Sequence, residues 1–211
     1  MAVLNFISKL LFHSASESKR SSVTRRASIA LFTLVAMLSL HVASAAAQST
    51  ASEYEVKAAF LFNFVKYVEW PPKSLPEKDT PYIIGVLGDD PFFDAKALVN
   101  YLDVAVKDKA INNRKLVIQR ASRISNLKDC HLVFIARSER NRLKEIVALC
   151  QANNILTVSE IEEFCAQNGI INFFAQGGKV RFEINPDAAE QSSLRVSSKL
   201  LNVAKIVAPS R

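Results

Sequence analysis

His131-Leu132-Val133-Phe134-Ile135-Ala136, then Arg137-Ser138-Glu139-Arg140, then a helical stretch from Asn141 to Gln151, then Ile155-Leu156-Thr157-Val158-Ser159: this passage decides the fold. Both apolar runs are continuous rather than alternating, as in strands buried on both faces. Two such strands joined through a helix form a parallel pair. Upstream, Tyr82-Ile83-Ile84-Gly85-Val86-Leu87-Gly88 is a further buried strand, ended by Gly88-Asp89-Asp90-Pro91, and Leu116-Val117-Ile118-Gln119-Arg120 is another. A helix is expected from Phe92 to Leu102, a short one from Ile161 to Gln167, and a closing one from Val196 to Val207. Ile170–Phe174 and Val180–Ile184 flank Gln176-Gly177-Gly178, the pattern of a hairpin with a glycine turn.

The expected class is α/β: a largely parallel sheet with helices on both faces and an antiparallel hairpin at one edge. Right-handed crossovers would place the strand-to-helix loops on one rim, where open α/β sheets bind ligands. Those loops are Gly88-Asp89-Asp90-Pro91, Arg137-Ser138-Glu139 and Ser159-Glu160. The candidate ligand rim is Asp89, Arg137, Ser159, Arg181 and Glu183. Asp89-Asp90 also suits an N-cap for the helix expected at Pro91 or Phe92. Arg181 and Glu183, two apart on one strand, share a face. They would form an ion pair with each other or across strands, or would anchor an anionic group.

Ahead of the sheet, Glu53 to Glu69 has helical spacing and stops at Pro71-Pro72. A narrow stripe of Glu55, Ala59, Asn63, Lys66 and Glu69 is its polar side; nearly all else is apolar or aromatic. Such a helix is either buried in the core or shared with a partner, and Phe60, Phe64, Tyr67 and Trp70 are its candidate interface anchors.

Residues 1–47 have the pattern of an export signal. Arg25 and Arg26 precede the apolar run Ile29–Leu40, and Ala43-Ser44-Ala45-Ala46-Ala47 supplies the cut, after Ala45 or Ala47. The apolar run is shorter than the ~20 residues of a comfortable membrane span. Thr24-Arg25-Arg26 loosely resembles a twin-arginine signal, so general secretory and twin-arginine export both stay open. The expected domains are a cleaved signal at 1–47, a disordered mature start at 48–53 and one α/β domain at 54–207, located in the periplasm. The leader holds five basic residues against one acid, so it takes +4 of the chain's +7 and leaves +3. A mature chain so weakly charged calls for no nucleic-acid partner.

Chemistry is sparsely provided for. There is no G-x-S-x-G elbow and no P-loop. His131 is the sole histidine after the leader; it adjoins Cys130 on a strand, so the two point to opposite faces and cannot act as a nucleophile–base pair. No metal set or cofactor motif is present, and no catalytic residue is expected. Cys130 begins a strand and Cys150 ends the helix after it, at the same edge of the sheet, which makes a Cys130–Cys150 disulfide feasible. Cys165 competes, and three unpaired thiols are the alternative.

Several blocks resemble the YfiR-like family of periplasmic proteins: Val56-Lys57-Ala58-Ala59-Phe60-Leu61-Phe62-Asn63-Phe64-Val65-Lys66-Tyr67-Val68-Glu69-Trp70-Pro71, Ile84–Phe92, Cys130–Ile135, Leu156–Ser159, Gly169–Phe173, Val180–Asn185 and Ser197–Leu201. The resemblance covers residues 54–207. It implies an α/β periplasmic domain without catalytic activity. It further implies a repressor seated on the periplasmic part of an inner-membrane diguanylate cyclase or sensor kinase, lowering cyclic-di-GMP and biofilm formation, and relieved by an outer-membrane lipoprotein. The family's namesake carries two disulfides, and three cysteines are too few for both. A homodimer through the first helix, and a small-ligand receptor of the same fold, are the other expectations.

Overall fold

The computed structural model describes residues 53–75, 77 and 79–207. The expected leader and residues 48–52 lie outside the described residues; Glu53, placed at the end of the disordered start, is already helical. The chain opens with α1 (53–67), β1 (Val68–Glu69), β2 (Tyr82–Leu87), β3 (Phe93–Asp94), β4 (Val99–Asn100), α2 (Tyr101–Val106), β5 (Ala110–Ile111) and β6 (Arg114–Ala121). It continues with β7 (Leu132–Ile135), α3 (Leu143–Ala152), β8 (Leu156–Ser159), β9 (Ile171–Gln176), β10 (Lys179–Ile184), α4 (Pro186–Gln191), β11 (Arg195–Val196), α5 (Ser198–Leu201) and β12 (Lys205–Ile206).

Eight strands form the main sheet in the order β12-β10-β9-β8-β7-β2-β6-β5. Five of them, β6, β2, β7, β8 and β9, run parallel, registered by pairs such as Ile84 with Ile118, Ile84 with Leu132 and Val158 with Ile171. Chain order reverses between β2 and β7, the switch point of a doubly wound sheet. The expected hairpin is β9–β10, turning on Gly177 and Gly178 at φ +58° and +71°. Two successive positive φ values give the tight turn that glycine accepts without strain. β12 then adds in parallel outside β10.

Alternation along the strands feeds two cores. Ile84, Val86, Leu132, Phe134, Leu156, Val158, Ile171 and Phe173 face α1 and α2. Leu87, Val133 and Ile135 face α3 and the segment around Phe164 on the other side. Burial of both faces explains the continuous apolar strands. α1 lays Ala58, Leu61, Phe64 and Val65 on the sheet, all at most 1% exposed. Phe60 and Phe64 stack edge-on to Phe182, with centroids 5.3 and 5.1 Å away, and Phe64 lies over Phe173 at 5.6 Å.

Past α1, the chain is tied to the N-terminal ends of the strands by His131. Its Nε2–H donates to the Ser74 carbonyl at 2.9 Å and its Nδ1 accepts the Ile83 amide at 3.1 Å, which defines a neutral imidazole. Trp70 and Tyr82 stand edge-on to the ring, and the Trp70 indole N–H donates to the His131 carbonyl at 3.1 Å. Thus His131 is a fastening, and its pairing with the backbone accounts for a histidine that sequence alone left without a role.

Four expected elements are corrected. Phe92–Leu102 is no helix. Asp90 Oδ1 accepts the Phe92 amide at 2.9 Å in a turn, β3 and β4 pair, and Leu98 takes φ +52°; only Tyr101–Val106 is helical, capped by Asn100 on the Leu102 amide. Ile161–Gln167 shrinks to a turn and a 3-10 segment, Cys165–Gln167. Val196–Val207 is helical only over Ser198–Leu201, because its two ends pair elsewhere: Ser197 N–H with Tyr67 O and Val207 N–H with Ile184 O. Glu69 is not helical but pairs in β1 with Arg195. Tertiary hydrogen bonding overrides local pattern in each case.

Burial, more than the nearby Arg114, holds the His131 pKa below its ordinary value of 6.5, the Ser74 bond opposing. The unfolded chain therefore takes up a proton at pH values where the folded one does not. The stability this neutral ring contributes is complete above the unfolded value and is lost as pH falls toward the folded one. Thermal melts of the mature chain between pH 7 and 5 will show a falling midpoint, with a shallower dependence in His131→Gln; equal slopes would assign the titration to another group.

Candidate functional site

At the C-terminal rim, the switch point between β2 and β7 is filled rather than open. The Asp89 amide donates to Ser138 Oγ at 3.0 Å and the Ala136 amide to the Leu87 carbonyl at 3.0 Å. Gly88, at φ +87°, lies so close that a side chain there would run into Ser138 and Glu139. Asp90 is occupied, its Oδ2 accepting from Asn100 Nδ2 at 2.8 Å and from Arg120 Nε at 2.6 Å. Asp90 therefore ties the β3–β4 hairpin to β6; no helix follows for the Asp89-Asp90 pair to cap.

One strand further on, the rim carries a buried charge cluster. Glu160 follows β8, and its carboxylate accepts the Tyr54 hydroxyl at 2.9 Å, contacts Lys57 Nζ, and pairs with Arg137 Nε at 3.1 Å. The side chains of Lys57 and Glu160 are each 3% exposed, and Lys57 also pairs with Glu53 one turn back on α1. Burial first, then the Glu160 charge and the hydrogen bond to it, push the Tyr54 hydroxyl well above its ordinary range. Beside the cluster, a cavity of about 330 Å³ is lined by Arg137, Arg140, Glu160, Ile161 and Glu162.

The residues expected on the rim are only partly brought together. Asp89 and Arg137 are exposed at adjoining loops, and Arg137 reaches Glu160. Ser159 is fully buried, its hydroxyl donating to the Ile135 carbonyl at 2.8 Å and accepting the Ile161 amide at 3.1 Å, so it straps the loop and faces no ligand. Arg181 and Glu183 lie across the sheet on β10 and are not each other's partner. Glu183 pairs with Lys205 at 3.0 Å and contacts Asn172. Tyr54 and Lys57 were not singled out from sequence, and Glu160 entered only as part of the Ser159-Glu160 rim loop. The available signal was a lysine amid apolar helix positions, with a glutamate four residues before it: a buried ammonium requires a counter-charge.

Two of the four aromatic anchors, Phe64 and Trp70, are corrected. Phe64 is fully buried and Trp70 is 9% exposed, while Phe60 and Tyr67 are half-buried against the same core. The helix is apolar because it covers the sheet. What remains open beside Trp70 is a groove of about 570 Å³, walled by Pro71, Pro72, Pro186, Leu194, Val196 and Leu201, with Glu69, Glu190 and Arg195 at its rim.

The expected Cys130–Cys150 disulfide is not formed; all three cysteines are buried free thiols. Burial, aided by Asp129 at Cys130 and by Cys130 at Cys150, pushes both of these thiols up to about 12, and burial with Glu183 does the same at Cys165. Thiols so suppressed are poor nucleophiles. Among the described residues, no group of three or more His, Cys, Asp or Glu is placed to hold a metal ion, and no helix is long and apolar enough to cross a membrane.

Removing one partner of a buried ion pair leaves the other charge uncompensated. Lys57→Met is expected to cost roughly 3 kcal/mol of unfolding free energy, and Glu160→Gln to be destabilising as well. The Lys57→Met/Glu160→Gln double variant will lose much less stability than the sum of the two single losses. Denaturant titration of the four proteins measures the coupling; simple additivity would mean that the pair does not act as a unit.

No curated protein matches the chain. Among solved structures, a crystal structure of a conserved domain protein from Vibrio cholerae O1 biovar El Tor is similar at 12% identity and a TM-score of 0.48, over 71% of this chain. The match spans 59% of that chain's length. The family model described as YfiR/HmsC-like matches residues 54–205, nearly all of the sheet and α1. The chain belongs to the YfiR/HmsC-like family.

Proposed function

We propose that this chain is a periplasmic regulator, exported by a cleaved signal, that binds the periplasmic part of an inner-membrane diguanylate cyclase or sensor kinase and lowers its output, and with it biofilm formation. Family membership over residues 54–205 carries this reading. The site chemistry agrees with it. The rim carboxylates and cations neutralise one another, the thiols are suppressed, and His131 is committed to backbone groups. Contact with a partner, rather than bond making, is what such a surface offers.

The groove beside Trp70 is the docking face in this reading. It combines prolines, which lose little entropy on binding, with aliphatic walls and a rim of mixed charge. An outer-membrane lipoprotein would relieve repression by competing for the chain. A second reading, a small-ligand receptor, would use the cavity next to Arg137 and Arg140, where an anionic group would have to compete with Glu160 and Glu162 for the guanidinium groups.

Deleting the gene will raise cellular cyclic-di-GMP and biofilm mass, and the wild-type chain will restore both. Pro72→Asp with Arg195→Glu, both at exposed positions, will fail to restore them although the chain still folds, its melting temperature lowered only slightly by the like charge set opposite Glu69. Cyclic-di-GMP quantified by mass spectrometry reads the result, and full complementation by the double variant would remove the groove from the interface.

A further inference from the structure

The sheet has two edges, and they differ. One ends in β12, two residues long. At the other, β5 pairs only with Arg114 and Lys115 of β6. From Leu116 to Ala121, β6 has β2 on one side and, among the described residues, no strand on the other. Along these six residues of parallel-sheet strand, alternate residues turn their N–H and C=O outward, without a proline or a bulge to interrupt the row.

Charge tells what could lie there. Residues 107–129 hold seven basic side chains and two acids, a net +5, while the whole chain after residue 47 carries only +3. The rest of that mature chain is therefore at −2, and its positive charge is concentrated around this edge. Arg120 is committed to Asp90 and Asp103, but Lys115 and Arg123 stand exposed at the two ends of the open stretch. Between them Val117 is 46% exposed, an apolar station for a cross-strand neighbour. A second copy approaching through the same edge would bring its own exposed Lys115 and Arg123 against the same two cations, so like charges oppose self-pairing there.

We propose that the open edge of β6 accepts an extended acidic segment of another protein as an added strand. Backbone pairing would supply the affinity, and Lys115 and Arg123 would select acidic side chains. This surface shares no residue with the groove beside Trp70 and does not depend on it.

The test uses the purified mature chain and a fluorescent heptapeptide of alternating Glu and Val. Two control peptides accompany it: the same sequence with alternate backbone amides N-methylated, and one with Lys in place of Glu. Saturable binding is expected, with slowed hydrogen exchange confined to amides in 116–121. Affinity should fall roughly tenfold in Lys115→Glu/Arg123→Glu, in the N-methylated peptide and in the Lys peptide, and should be unchanged in Pro72→Asp/Arg195→Glu. Equal binding of the N-methylated peptide would reduce the effect to charge attraction and overturn the proposal. So would absence of protection at 116–121, or sedimentation showing that this edge pairs two copies of the chain.

Discussion

The structure depends on how α1 is laid across the sheet. Its apolar face meets Phe173 and Phe182 of the hairpin through Phe60 and Phe64. The two ends are fixed by different chemistry. At the C-terminal rim, Lys57 is buried against Glu160 with Tyr54 and Arg137 in attendance. At the opposite edge, Trp70 and the segment through Ser74 are bonded to His131. Apolar contact is non-directional and would tolerate sliding of the helix. The two polar fastenings fix its register, because displacement would leave a buried ammonium, carboxylate or indole N–H unpaired.

This arrangement also decides what the rim is free to do. In many doubly wound sheets the switch point is an open crevice. Here Ser138 closes it against Gly88 and Asp89, and the neighbouring opening is bordered by charges already matched to one another. The exposed features lie elsewhere: a proline-lined groove under the end of α1 and a basic, half-unpaired edge strand. Both suit protein contact, in keeping with the family.

Much of the architecture was legible in the sequence where burial imposes a pattern. The continuous runs of β2, β7 and β8 had to be doubly buried strands, and Gly177-Gly178 had to be a hairpin turn. The failures share one cause. Phe92–Leu102, Ile161–Gln167 and Val196–Val207 carry enough apolar residues for helices, but their backbone groups are claimed at a distance, as Val207 is by Ile184 and Ser197 by Tyr67. Local spacing holds no record of such partners. Phe64 and Trp70 misled for a related reason: what covers them is distant in sequence, Phe64 meeting Phe173 and Phe182 more than a hundred positions later and Trp70 meeting His131. Of the charge cluster, Arg137 was readable as a rim residue, whereas Lys57 was hidden inside a greasy pattern that only its missing counter-ion could have flagged.

That sequence separation has a consequence for biogenesis. Lys57 and Glu160 are 103 residues apart, and Phe173 and Phe182 come later still. A chain made from its N-terminus completes its greasiest helix first and the surface that shelters it last. Closing so long a loop is slow, and contacts of this range set the pace of folding. Until the hairpin exists, α1 is an adhesive segment on an unfinished molecule, so escorting factors that shield apolar helices will have their main work on this protein there.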